Sequence, residues 1–204
     1  MRHLRLDRNY GDYGNTPRGV GALLAMSGGY EGIGLLDADN WLEKDHISAC
    51  VEASLTIEHC DYVIAQRNLC RPDGSPIDTA DHPVELHVDT NCFFLLPGSY
   101  HVMHHFSLMP AQVAPICDRV FYAALKGKNL NSQIVKRKTV NYHCLWAHTY
   151  EAAGEAPPPN AKRVDFWRIR EWLAALDPRQ LEILERRCGC SFVANPRYRE
   201  GISF

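Results

Sequence analysis

Asp37 and Asp39 are the residues whose type and spacing promise chemistry first. In an extended segment side chains alternate, so residues two apart point the same way, and here only the small Ala38 stands between them. Two carboxylates roughly 5–7 Å apart repel each other unless a cation sits between them. Mg²⁺ or Mn²⁺ takes one or two carboxylates and fills the rest of its shell with phosphate oxygens and water. A metal–diphosphate site is therefore the economical reading. The motif alone carries little information: with 13 Asp in 204 residues, chance supplies ~0.8 such patterns in a chain of this composition. A solvated turn with a helix-capping carboxylate fits the two residues equally well.

Context is what raises the motif. The apolar run Glu31-Gly32-Ile33-Gly34-Leu35-Leu36 reads as a buried strand emptying into Asp37-Ala38-Asp39-Asn40. Ligands of α/β sheets bind beyond the carboxyl ends of strands, which is where the pair falls. Trp41 and Leu42 lead into a helix over residues 45–59 with Asp45 as its N-cap. Residues 18–26 form a helix rich in small residues, suited to close packing on a sheet. Further strands are expected over 61–67, 84–88, 91–96 and 133–140, with an intervening turn at Arg71-Pro72-Asp73-Gly74-Ser75-Pro76. Helices are expected near Ser99, over 118–125, and, beyond the stiff Pro157-Pro158-Pro159 run, over 165–175 and 179–187. Alternating strands and helices define an α/β fold.

Composition bounds the rest. A chain of 204 residues suits one domain, and 22 Lys+Arg against 24 Asp+Glu exclude a strongly basic nucleic-acid binder. The first residues lack the apolar stretch of a secretory signal, and the longest strongly apolar run, residues 92–96, is far short of a membrane span; a cytoplasmic protein is expected. The eight cysteines are scattered through apolar patterns and read as reduced core residues. Only Cys188-Gly189-Cys190 is closely spaced, without a second pair at zinc-site spacing.

The run Gly11-Asp12-Tyr13-Gly14-Asn15-Thr16-Pro17-Arg18, the small-residue helix, and Ile33-Gly34-Leu35-Leu36-Asp37-Ala38-Asp39-Asn40-Trp41 together resemble the donor-binding portion of GT-A glycosyltransferases, in particular the family-2-like bacterial enzymes. Arg67 followed by Arg71-Pro72-Asp73-Gly74 extends the likeness, which spans residues 1–160, with 161–204 as a C-terminal helical extension. The resemblance implies a three-layer mixed sheet with helices on both faces, and sugar transfer from a nucleotide-diphosphate donor to an acceptor hydroxyl with Mn²⁺ or Mg²⁺. It implies that Asp39 coordinates the metal, that Asp37 shares it or touches the ribose, and that Arg18 and Asp89 line the substrate pocket. His148, ahead of His143, is the further metal ligand it suggests. Asp118 is similar in position to the family's general base, although Cys117 stands where a first acid is commoner.

By the same likeness a nucleotide-base unit of about 70–90 residues precedes the acidic pair, whereas 36 residues do so here. An N-terminally truncated sheet follows, one that a partner chain could complete. The alternative function is then a catalytically inactive remnant or binding module. A metal hydrolase built on His101, His104 and His105 is the minor alternative: the spacing suits one exposed helix face, but positions 102 and 103 are Val and Met, so the Glu of a His-Glu-x-x-His motif is missing. No Gly-x-Gly-x-x-Gly follows a strand, and no P-loop or Gly-x-Ser-x-Gly elbow occurs.

Overall fold

The nine-residue stretch Tyr62–Cys70, apolar except at Gln66, Arg67 and Asn68, forms β3, the strand on which the sheet is built. Buried residues occupy both of its faces, as expected of a strand with neighbours on either edge and cover on either side. The structure, a computed structural model, describes residues 3–163 and 165–193. It is a mixed α/β protein whose chain divides into two compact units.

The sheet unit comprises residues 31–100 and 129–163. Its strands are β1 (Ile33–Gly34), β2 (Trp41–Leu42), β3, β4 (Phe93–Leu95) and β5 (Ser132–His143), in the order β1-β4-β3-β5-β2. β3 and β5 run parallel and every other pairing is antiparallel, so the sheet is mixed. The β3–β5 register slips between Ile64 and Arg67, and Gln66 Nε2 donates to Val135 O across the irregularity at 3.0 Å. The extra residues lie on β5, which runs from Ile134 to Lys138 while β3 runs only from Ile64 to Gln66, so β5 is the strand that bends. α2 (His46–Ser54) packs on β5 and β3, and α5 (Ala147–Ala152) follows β5. Tyr62, Val63, Ile64, Phe93 and Leu95 are buried, and Leu69, Ile77, Cys144 and Tyr150 form a further apolar cluster.

The helical unit comprises residues 3–30, 101–128 and 165–193. It holds α1 (Asn15–Ser27), α3 (His105–Leu108), α4 (Cys117–Gly127), α6 (Phe166–Ala174) and α7 (Pro178–Cys188). Its core includes the Phe106–Phe121 stack, with ring centroids 4.2 Å apart. The close approach that the small residues of α1 allow is made to α3: a Cβ on Gly19 would lie 1.8 Å from Ser107 Oγ. The C-terminal helices belong to this unit too, α7 packing on α3 and α4.

Three elements differ from the sequence expectation. Residues 84–88 are a turn and not a strand, because the Leu86 and His87 N–H groups both donate to Pro83 O. The strand expected over 31–36 is reduced to two residues, and the helix expected near Ser99 is a 3₁₀ segment, Pro97–Val102. No helix among the described residues is long and apolar enough to cross a membrane.

Candidate functional site around the Asp37–Asp39 turn

After β1 the chain does not continue extended. Asn40 N–H donates to Asp37 O at 3.1 Å, which closes residues 37–40 into a turn. The alternation rule for strands therefore does not govern this segment: Asp37 is half-buried and Asp39 is exposed. Asp39 has no hydrogen-bond or ion-pair partner among the described residues.

Asp37 is held from across the sheet. Asn91, in the 3₁₀ turn Thr90–Cys92 that opens β4, accepts the Asp37 N–H on Oδ1 at 2.6 Å and donates from Nδ2 to Asp37 Oδ2 at 3.1 Å. Asp89, the N-cap of that turn, accepts from Asn91 N at 3.0 Å and from Asn91 Nδ2 at 2.7 Å. Its other oxygen lies 2.9 Å from Arg67 Nη1. Arg67 also donates from Nε and Nη2 to the two oxygens of Asp81, at 2.7 and 3.0 Å, with the Tyr142 ring 4.8 Å away.

The electrostatics follow from burial and pairing. Burial opposes the charge on Arg67, but Asp89 and Asp81 outweigh it and raise its pKa well above the usual guanidinium value. Burial likewise works against the Asp81 carboxylate, and its hydrogen bonds and charge attraction to Arg67 prevail, holding it below the usual carboxylate range. Tyr142, buried beside them, is pushed up. Arg71 serves the neighbouring turn: it pairs with Glu155 through two nitrogens and donates to Ser75 Oγ, while Gly74 takes the left-handed φ of +83° that the turn requires.

No family model, curated protein or solved structure matches the chain.

The expected site residues fall as follows. Asp37, Asp39 and Asp89 belong to the sheet unit, and Asp37 and Asp89 meet through Asn91. Asp89 is 9% exposed and spends its oxygens on Arg67 and Asn91. His148 is exposed on α5, its ring 6.3 Å from that of Trp146. His143, at the end of β5, is tied to the acidic turn instead, donating its backbone N–H to Asn40 Oδ1 at 2.8 Å. His143 Nε2 and Asn40 Nδ2 are both buried with no hydrogen-bond partner among the described residues. Arg18 and Asp118 belong to the helical unit. The Arg18 guanidinium donates to Tyr13 O at 2.8 Å, and Asp118, in the first turn of α4, accepts the Arg119 N–H at 2.7 Å.

No group of three or more His, Cys, Asp or Glu converges as a metal site among the described residues, so Asp37, Asp39 and His148 are not gathered into one. Oxygen ligands from two neighbouring carboxylates still suit Mg²⁺ or Mn²⁺, which take one or two carboxylates beside phosphate and water. The histidine cluster is not an exposed face: His105 is buried, and its Nδ1 lies 2.9 Å from Arg187 O. Cys188-Gly189-Cys190 is the end of α7, with Gly189 as its left-handed cap. Asn91 and the buried state of Arg67 were the features that spacing did not single out. The one sequence signal for Asn91 is its position two residues after Asp89.

Proposed function

We propose that the chain is a metal-dependent glycosyltransferase of the GT-A kind, moving a sugar from a nucleotide-diphosphate donor to an acceptor hydroxyl. The observation that carries this reading is the asymmetry of the acidic turn. One carboxylate, Asp37, is held by Asn91, and the other, Asp39, stands exposed with no protein partner among the described residues. A held ligand beside an open one suits a cation that must also accept diphosphate oxygens. The mixed sheet, with the acidic turn leaving β1 next to β4, is compatible with the three-layer arrangement that the resemblance implies.

In this reading Asp39 and Asp37 hold Mn²⁺ or Mg²⁺. The cation, when bound, neutralises the charge on the departing diphosphate. Asn91 orients Asp37, and Arg67, 2.9 Å from Asp89, holds the carboxylate that orients Asn91. For Asp118, in the other unit, the resemblance implies a general-base role, a contribution worth about 10²–10⁴ in rate where such a base acts.

The test is incubation of the protein with Mn²⁺ and a panel of UDP- and GDP-sugars together with candidate acceptors, following release of nucleoside diphosphate. Metal-dependent release that falls at least a hundredfold in Asp39→Ala and in Asp118→Asn supports the reading. Metal-dependent nucleotide binding without release in any combination would reduce the protein to a binding module. Neither binding nor release would refute the reading.

A further inference from the structure

The polar groups around Asp37 form a chain that starts in the middle of β3. Arg67, 8% exposed, divides its guanidinium between Asp81 and Asp89. Asp89 then accepts twice from Asn91, and Asn91 grips Asp37 at both its backbone and its carboxylate. Asn91 is itself 1% exposed, so its own bonds to Asp89 and Asp37 are made out of bulk water.

The amide of Asn91 has a single workable orientation. Its two Nδ2 hydrogens go to Asp89 Oδ1 and Asp37 Oδ2, and its oxygen takes the Asp37 N–H. Flipping the amide would aim an oxygen at two carboxylates and an NH₂ at a backbone donor, leaving all of these groups unsatisfied in a buried place. That orientation is fixed by the two carboxylates and the backbone donor it meets, and Arg67 Nη1, 2.9 Å from Asp89 Oδ2, fixes Asp89 in turn. Among the described residues the Arg67 side chain meets Asp81, Asp89, His87 and Tyr142, so its hold on Asp37 passes through Asp89 and Asn91.

We propose that Arg67, Asp89 and Asn91 are a positioning relay for Asp37, and that Asn91 and Arg67 set the affinity of the acidic turn for a divalent cation without touching it. The proposal rests on the reading that Asp37 helps to hold a metal–diphosphate. Partners that orient a metal ligand are worth about 10–100-fold in metal affinity.

The test uses the full chain as wild type, Asn91→Ala, Arg67→Lys and the double variant. Mn²⁺ uptake in the presence of UDP is followed by the paramagnetic resonance of the free ion, and hydrogen exchange is followed at the Asp37 amide. Asn91→Ala should weaken Mn²⁺ binding by about tenfold or more and speed exchange of the Asp37 amide. Arg67→Lys, which keeps the charge but loses the fork, should weaken binding in the same direction. The double variant should be no worse than Asn91→Ala within about twofold, because the path from Arg67 runs through Asn91. Ile77→Ala, in the apolar cluster with Leu69, Cys144 and Tyr150, should lower the melting temperature and leave Mn²⁺ affinity unchanged.

Unchanged affinity in Asn91→Ala, additive losses in the double variant, or an equal loss in Ile77→Ala would overturn the relay. A wild type that takes up no Mn²⁺ overturns the proposal together with the metal reading, and exchange tells the two failures apart. A slow Asp37 amide released by Asn91→Ala means that the clamp stands and the metal reading fails. A fast Asp37 amide in the wild type means that the clamp is absent.

Discussion

Arg67 grips Asp81 with two donors, Nε to Oδ2 at 2.7 Å and Nη2 to Oδ1 at 3.0 Å, while its third nitrogen lies 2.9 Å from Asp89. One buried cation in the central strand thus holds both ends of the segment from Asp81 to Asp89. That double attachment, with the turn at Pro83, accounts for the path of these residues.

Removing the cation strands two carboxylates that are mostly out of water. Arg67→Met should cost about 3–5 kcal/mol in denaturant unfolding, the range for breaking a buried ion pair. A cost below about 1 kcal/mol would mean that the two carboxylates find water or other partners.

The same pair makes stability depend on pH. Asp81 is held below the usual carboxylate range in the folded chain, so its contribution is fully present above the unfolded value of about 3.9 and is lost as pH falls through the lower folded value. Denaturant midpoints measured from pH 6 down to about 2 should fall less steeply below pH ~4 in Asp81→Asn than in the wild type. Parallel acid limbs would contradict the pairing.

Two glycines two residues apart on α1 should respond with opposite sign. Gly21 in α1 has open space where a Cβ would go, so Gly21→Ala should stabilise by about 0.5–1 kcal/mol through helix propensity. Gly19 lies against Ser107, and Gly19→Ala should destabilise by about 1–3 kcal/mol despite the same propensity gain. Thermal melts of the two variants decide the matter.

Helix caps give a second opposed pair. Asp177 accepts the Gln180 N–H at 2.8 Å and Gln180 returns a bond to the Asp177 N–H, so Asp177→Ala should cost about 1 kcal/mol. Asp45 occupies the N-cap position of α2 but makes no capping bond and pairs with Arg137 at the surface, so Asp45→Ala should change stability by less than about 0.5 kcal/mol.

The sequence made local features legible where the local signal was also the one that mattered. The strand expected over 61–67 became part of β3, the helix expected over 118–125 became part of α4, and Asp177-Pro178 opened α7 with a capping box. Residues 84–88 misled because their apolar–polar alternation fits a strand, while Pro83 and the pull of Arg67 on Asp81 and Asp89 bend them into a turn. The acidic pair was visible, but its geometry was not, since the Asn40-to-Asp37 bond that breaks the alternation depends on how Asn40 docks on His143, 103 positions later. Asn91 escaped notice for the same reason: its partner Asp37 is 54 residues away, and an Asn after an Asp reads as an ordinary turn.

The central claim is that the Asp37–Asp39 turn binds a nucleotide diphosphate through a divalent cation. Calorimetric titration of UDP and GDP into the wild type and Asp39→Ala, each with and without Mn²⁺, tests it most directly. The account predicts nucleotide binding to the wild type that requires Mn²⁺ and drops at least tenfold in Asp39→Ala. Absence of any Mn²⁺-dependent binding in the wild type would contradict it.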